Sequence, residues 1–365
     1  MTGPELYAGI MSGTSLDGVD TALVEINEGQ IRQLASYYQP YQQHLKDVLL
    51  SLHQSTDNEL HLALRVSNEL AGLYADAIGS LLKISNTSPR QVRAIGCHGQ
   101  TIRHNPAQGY SLQIGNSALL AELAGITVVG NFRNRDIAAG GQGAPLVPAF
   151  HDKVLRHPAV HRVIVNVGGI SNLTDLAPGK PAGGFDCGPG NLLMDGWIER
   201  HLGKPYDDGG GWAATGRVIP LLLEKLLAEP YFKAPPPKSC GRDLFNQDWL
   251  ARHLHGTEAG ADVQATLLAL TSACIVDSLR RCCTGFKEVY LCGGGAHNRA
   301  LIASLHHALP GCHIGLTDAL GIPADWMEAI AFAWLARQTI HNEPGNLPVV
   351  TGARHPCILG AIYPA

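Results

Sequence analysis

This 365-residue sequence is expected neither to cross a membrane nor to be exported. Its uninterrupted apolar runs fall well short of the ~20 residues that a spanning helix needs. The opening, Met1-Thr2-Gly3-Pro4-Glu5, has neither the basic region nor the apolar region of a secretory signal. Blocks of like charge are also missing. Charged residues make up 16% of the chain and the net charge is −4, which leaves a nucleic acid or an anionic membrane without support as a partner. The nine cysteines are odd in number, scattered and without a C-x-x-C, which argues against a disulfide framework and a structural zinc site. There is no H-E-x-x-H, no G-x-x-x-x-G-K-[ST] and no G-x-G-x-x-G. A metalloprotease, a Walker-type NTPase and a Rossmann dinucleotide site therefore lack their signatures. The expected setting is the cytoplasm.

What the sequence does have is length for two domains, a 45% apolar share that makes a core, and glycine-rich turns at the ends of strands. The first turn lies in YAGIMSGTSLDGVDTALVEI, residues 7–26, which reads as strand, polar turn, strand. Its backbone N–H groups and the hydroxyls of Ser12, Thr14 and Ser15 suit phosphate oxygens. An ordinary hairpin turn has the same composition. HRVIVNVGGISNLTDL, residues 161–176, repeats the pattern, with Gly168 following Gly13 by about one domain length. A third turn, Gly293-Gly294-Gly295-Ala296-His297-Asn298, follows a strand and opens a helix, where a sugar and α-phosphate can meet backbone N–H groups.

Between these turns the pattern predicts strands at 31–40, 92–97, 110–114 and 126–129, and helices at 41–54, 58–83 and 117–124. NFRNRDIAAGGQGAP, 131–145, reads as a polar loop, and 203–245 as a surface excursion rich in Gly, Pro and Lys with one helix at 217–228. Pro189 is placed near the first turn of a helix at 190–202. Longer helices are predicted at 261–283 and from Pro323-Ala324-Asp325 through Trp334. Alternating strands and helices give an α/β fold with mixed sheets.

Asp186 ends a short strand beside Gly184, Gly188 and Gly190, with no lysine or arginine near it in sequence, and suits a general base. Asp17, Asp20 and Asp136 are alternatives. Arg133 and Arg135 offer forked donors to a carboxylate or phosphate. Gly13-Thr14-Ser15 begins like a nucleophile elbow, but Asp17 stands where that motif has glycine, and strand follows the turn instead of helix.

Taken together, the blocks MSGTSLDGVD (11–20), CHGQT (97–101), QIGN (113–116), GGQGAPLVPAFH (140–151), NVGGISN (166–172), GFDCGPGN (184–191), CGGGAHN (292–298) and GIPADWMEAIAFAWLA (321–336), with the closing YPA, resemble the anhydro-N-acetylmuramic acid kinase family of the actin/hexokinase/Hsp70 superfamily. The resemblance implies a two-lobed actin-like and hexokinase-like ATPase fold, each lobe a mixed β-sheet flanked by helices. The N-terminal lobe would span 1–145, rejoined by about 340–365, and the C-terminal lobe 146–339. It implies hydrolytic opening of the 1,6-anhydro bridge of anhydro-N-acetylmuramic acid and transfer of the ATP γ-phosphoryl group to O6, in peptidoglycan recycling. Asp186 matches the family's base. Gly13, Thr14, Ser15, Leu16, Asp17, Gly18, Val19 and Asp20 would bind ATP phosphates, with Gly168 and Gly169 as the opposing turn and Gly293, Gly294 and Gly295 at the adenosine end. Mg²⁺ is expected with the nucleotide. His98, Gln100, Arg133, Asp136 and Glu328 are expected at the sugar, Arg133 on its lactyl carboxylate. Asn131 stands where close relatives are expected to carry an acidic residue. A homodimer is implied. A simple hydroxyl kinase for another amino sugar, or an ATP-driven clamp without a small-molecule acceptor, are the alternatives.

Overall fold

The computed structural model describes residues 3–365 except Thr14, Thr56 and Asp243. Thirteen strands organise it: β1 (Glu5–Met11), β2 (Gly18–Asn27), β3 (Gln30–Pro40), β4 (Val92–Cys97), β5 (Gln100–Asn105), β6 (Tyr110–Ile114), β7 (Val128–Gly130), β8 (Arg162–Val167), β9 (Ile170–Leu176), β10 (Gly183–Pro189), β11 (Glu288–Cys292), β12 (His313–Leu316) and β13 (Ala361–Tyr363). They fall into two compact units, Met1–Leu155 with Trp326–Ala365, and Arg156–Asp325.

The first unit is built on a sheet of order β13-β7-β4-β1-β2-β3. Strands β1 and β2 form an antiparallel hairpin, β2 and β3 another, and β4 joins β1 in parallel. The helix Glu59–Ile84 covers this sheet with Val66, Leu70, Tyr74, Ile78 and Leu81 buried. Their spacing of three and four residues places them on one stripe, which is what holds a helix on a sheet. The helix Met327–Ile340 packs on β1 and β4 and is apolar nearly all round, as burial between elements demands.

The second unit repeats this plan. Its sheet runs β10-β9-β8-β11-β12, with β10–β9 and β9–β8 antiparallel and β8–β11 and β11–β12 parallel. The first unit has the same sequence of pairings along β3-β2-β1-β4-β7. The two glycine turns therefore occupy equivalent places, between the first two strands of each unit. The helix Gly260–Cys282 is long and apolar enough to span a membrane by length and composition, but 78% of its most apolar 18-residue window is buried in the structure.

Several sequence expectations change. The region 131–145 is not all loop: Phe132–Ala138 is a helix, entered through Asn131 at φ 57° and anchored by buried Phe132 and Ile137. Pro189 is the last residue of β10, and the helix after it starts at Leu192. The unit boundaries lie at 155/156 and 325/326 instead of 145/146 and about 340. The physical reason is that Phe150, on the helix Val147–Val154, packs edge-on against Trp334, with ring centroids 5.9 Å apart, so both helices belong to the first unit.

Candidate active site

In the first unit the turn after β1 is fastened from below. Ser12 is 1% exposed, donates through Oγ to the Gly99 carbonyl (3.0 Å), and its hydroxyl also meets Tyr74 OH (3.1 Å). Its hydroxyl thus belongs to the support of the turn and does not face a ligand. Gln100, fully buried, donates through Nε2 to the Gly13 carbonyl (3.1 Å). Leu16 and Val19 point into the core, so only their backbone is left to meet the phosphates expected there. Ser15 and Asp17 are exposed and joined, Ser15 Oγ donating to Asp17 Oδ1 (2.6 Å). Thr14, expected among the phosphate contacts, lies outside the described residues.

Arg133 anchors a second group in this unit. Its Nε (3.2 Å) and Nη2 (2.8 Å) both donate to His98 Nε2, and Nη1 donates to the Gly143 carbonyl (2.8 Å). Arginine cannot accept, so His98 is neutral with its proton on Nδ1. Burial and the Arg133 charge agree, pushing the imidazole down to about 3. Three of the five guanidinium N–H groups are thereby used, which leaves one on each terminal nitrogen for a ligand. The Glu328 side chain makes no hydrogen bond to a described residue; burial pushes its carboxyl up, and the Arg133 charge draws it back.

Asp136 differs from these. It is fully buried, its Oδ1 accepts from Asn346 Nδ2 (2.6 Å) and Thr351 Oγ1 (2.7 Å), and its Oδ2 accepts from the Gly143 N–H (2.8 Å). These bonds tie residues 143, 346 and 351 together. Asp136, expected at the sugar, has both carboxylate oxygens engaged in holding the Phe132–Ala138 helix to these residues.

In the second unit, Gly168 and Gly169 form the turn between β8 and β9. Their carbonyls accept from the N–H groups of Asn191 (2.8 Å), Gly190 (2.9 Å) and Leu192 (3.1 Å), which locks the turn to the end of β10. Gly190 is required by this approach, since a Cβ there would overlap the Gly168 carbonyl oxygen. The turn after β11 packs on the same place. Gly293 has φ +78°, and any Cβ on it would run into the Asn166 side chain and Val167 carbonyl. The turns expected to hold phosphates and adenosine in this unit are thus assembled side by side.

Asp186 stands on β10, immediately before an irregularity in its pairing with β9. Bulges of this kind re-aim side chains. Its Oδ2 accepts from the Cys240 N–H (3.0 Å), while Oδ1 has no hydrogen-bond partner among the described residues. Burial raises the carboxyl from an ordinary 3.8 to about 6, against the opposing pull of the Cys240 N–H and the Lys238 charge. The sequence therefore misled on two points. A lysine does act on Asp186, and 203–245 is no mere surface excursion. Phe232 and Phe245 bury their rings there, Phe245 against Trp249 just beyond the stretch, and Lys238 and Cys240 reach the base. The spacing of those aromatics within a Pro- and Gly-rich stretch was the signal available.

A mixed sheet of one strand order repeated in two units, with a glycine turn between the first two strands of each copy, is the plan expected of a two-lobed actin-like, hexokinase-like ATPase fold. The sequence profile of the anhydro-N-acetylmuramic acid kinase family matches residues 5–365. The chain is 57% identical over 361 residues to that kinase from Nitrosomonas europaea and from Nitrosospira multiformis, covering 98% of this chain and 99% of each relative. It is 56% identical over 366 residues to the one from Thiobacillus denitrificans, covering 99% of this chain and 98% of that one. The chain belongs to the anhydro-N-acetylmuramic acid kinase family.

Proposed function

We propose that Asp186 takes the proton from a water attacking C1 of anhydro-N-acetylmuramic acid, while the departing O6 becomes the nucleophile toward the γ-phosphorus of ATP. The C1–O6 bond breaks, a C1–O bond to the water oxygen forms, and ADP leaves with the electron pair of the bond to phosphorus. The observation that carries this reading is the asymmetric Asp186 carboxylate: Oδ2 is engaged by the Cys240 N–H, Oδ1 is free among the described residues, and its carboxyl sits near 6. A base poised near the working pH is the effective kind. A fixed carboxylate oxygen beside a free one also sets the direction of proton transfer.

The backbone of Gly13 to Asp20 and of Gly168-Gly169 serves ATP phosphates, and Gly293 to Gly295 the adenosine end. Arg133, with an N–H left on each terminal nitrogen, takes the lactyl carboxylate, and Glu328 a sugar hydroxyl. His98 and Gln100 act through their neighbours, as supports of Arg133 and of the Gly13 turn. Magnesium, when bound, neutralises charge on the transferring phosphoryl group. Among the described residues no three His, Cys, Asp or Glu side chains converge on one point. Nucleotide and water oxygens therefore supply most of its coordination, with Asp17 the exposed carboxylate on the first turn. The reading carries with it a cytoplasmic homodimer, which sedimentation velocity of the purified chain checks.

Incubation with anhydro-N-acetylmuramic acid and Mg-ATP is expected to give N-acetylmuramic acid 6-phosphate and ADP in equal amounts. Absence of that product alongside rapid phosphorylation of an unbridged amino sugar would overturn the substrate assignment. Arg133→Met is expected to raise KM for the sugar about ten- to hundredfold, the worth of a hydrogen-bonded charge pair, with kcat little changed. An unaltered KM would remove Arg133 from the sugar site.

A further inference from the structure

One short segment reaches Asp186 at three atoms. Tyr231 OH donates to the Asp186 carbonyl (2.7 Å), the Asp186 N–H donates to the Lys238 carbonyl (3.2 Å), and the Cys240 N–H donates to Oδ2 (3.0 Å). The segment is folded onto itself by its own lysine. Lys238 Nζ donates to the carbonyls of Tyr231 (3.1 Å) and Phe232 (3.3 Å) and lies 4.6 Å from the centre of the Tyr231 ring. It also lies 5.7 Å from the ring of Phe185, the residue before the base. Beneath it Phe232 stacks on Phe245 (5.4 Å), and Phe245 meets Trp249 edge-on (5.1 Å), so the support is rigid.

We infer that Lys238 is the positioning residue of the Asp186 base: its ammonium fastens the strap 231–240 that grips Oδ2, and it holds a positive charge by the ring of Phe185, one residue before the base. The inference rests on the reading of Asp186 as the base.

The other groups around the pair do not supply that charge. The helix Gly260–Cys282, packed on β10, carries Arg281, whose guanidinium is paired with Asp277 (2.8 Å) and also donates to the Phe232 carbonyl (2.5 Å), so it shares in holding the strap. That helix also presents Cys274 and Cys282. Burial pushes Cys187 up to about 12 and raises the Tyr231 phenol, so both stay neutral. On β9 the carboxylate Asp175 is bonded to His161. Lys238 is the cation that draws the Asp186 carboxyl down against its burial. Burial and the charge of Arg281 in turn lower the ammonium below its ordinary value.

The test is the pH profile of kcat/KM in Lys238→Met, Lys238→Gln and Lys238→Arg, with Asp186→Asn alongside. Both neutral variants are expected to move the acid limb upward by about one pH unit, which is about a tenfold loss of rate on that limb. The plateau and nucleotide binding change far less, and Lys238→Arg returns the limb toward its original place. Glutamine keeps donors for the two carbonyls, so it isolates the charge if methionine disturbs the fold. An unmoved limb in a folded neutral variant overturns the proposal. So does failure of both neutral variants to fold, since Lys238 would then be a support of the core. Turnover retained by Asp186→Asn sinks the reading of the base itself, which is a separate result.

Discussion

Asp186→Asn is expected to lose turnover by about 10²- to 10⁴-fold, the range a general base supplies, while gaining stability near neutral pH. The fold raises this carboxyl from 3.8 to about 6, so the folded chain holds the proton more tightly than the unfolded one. The stabilisation from that proton is complete below pH 3.8 and is lost as pH rises through about 6. Above that point the partly buried carboxylate is a cost that asparagine does not carry. Asparagine also retains an oxygen for the Cys240 N–H. The variant is therefore expected to exceed the parent by about 1–3 kcal/mol at pH 8, with the gap closing toward pH 4. Unfolding curves at the two pH values check the sign. A variant that is dead but less stable at pH 8 would mean that favourable charge contacts, and not burial, govern the site.

The second large effect concerns the turn of the second unit. Gly190→Ala is expected to raise KM for ATP by an order of magnitude or more and to cost about 1–3 kcal/mol of stability. The added Cβ would meet the Gly168 carbonyl oxygen, a backbone atom that cannot swing aside. Relief requires the β8–β9 turn to move away from the end of β10. That breaks the bonds from the N–H groups of Gly190, Asn191 and Leu192 to Gly168 and Gly169. Because Asp186 lies four residues upstream, on the strand that ends at Pro189, kcat falls as well. Unaltered ATP kinetics in a folded variant would detach this turn from the nucleotide.

The sequence was most legible where turn residues bracket a short apolar run. Val92–Cys97, Tyr110–Ile114 and Ser117–Ala124 fall where the pattern puts them, the last two each closed by glycine. The two glycine hairpins were legible as a repeat because each is a strand, a glycine turn and a second strand, and the matching sheet orders give the reason. Phe132–Ala138 was hidden because its polar side chains are held by tertiary bonds: Asp136 to Thr351 and Asn346, Arg133 to His98 and Gly143. No local pattern reports such distant partners. Strands β5, β12 and β13 went unread for a related reason. They are short or polar, and pairing with a neighbour, not propensity, makes them strands. Asp186 could be singled out from its glycines, but not its gripping segment, whose Lys238 and Cys240 lie more than fifty residues away in the chain.

Everything about the chemistry turns on which bond water opens. The reaction run in ¹⁸O-water and read within the first turnovers is expected to place one solvent oxygen on C1 and none in the transferred phosphoryl group. The oxygen that bridged C1 and C6 would be recovered as the ester oxygen on C6. A product without label at C1, or with label in its phosphate, would contradict the coupled opening and leave Asp186 without the water it is assigned to activate.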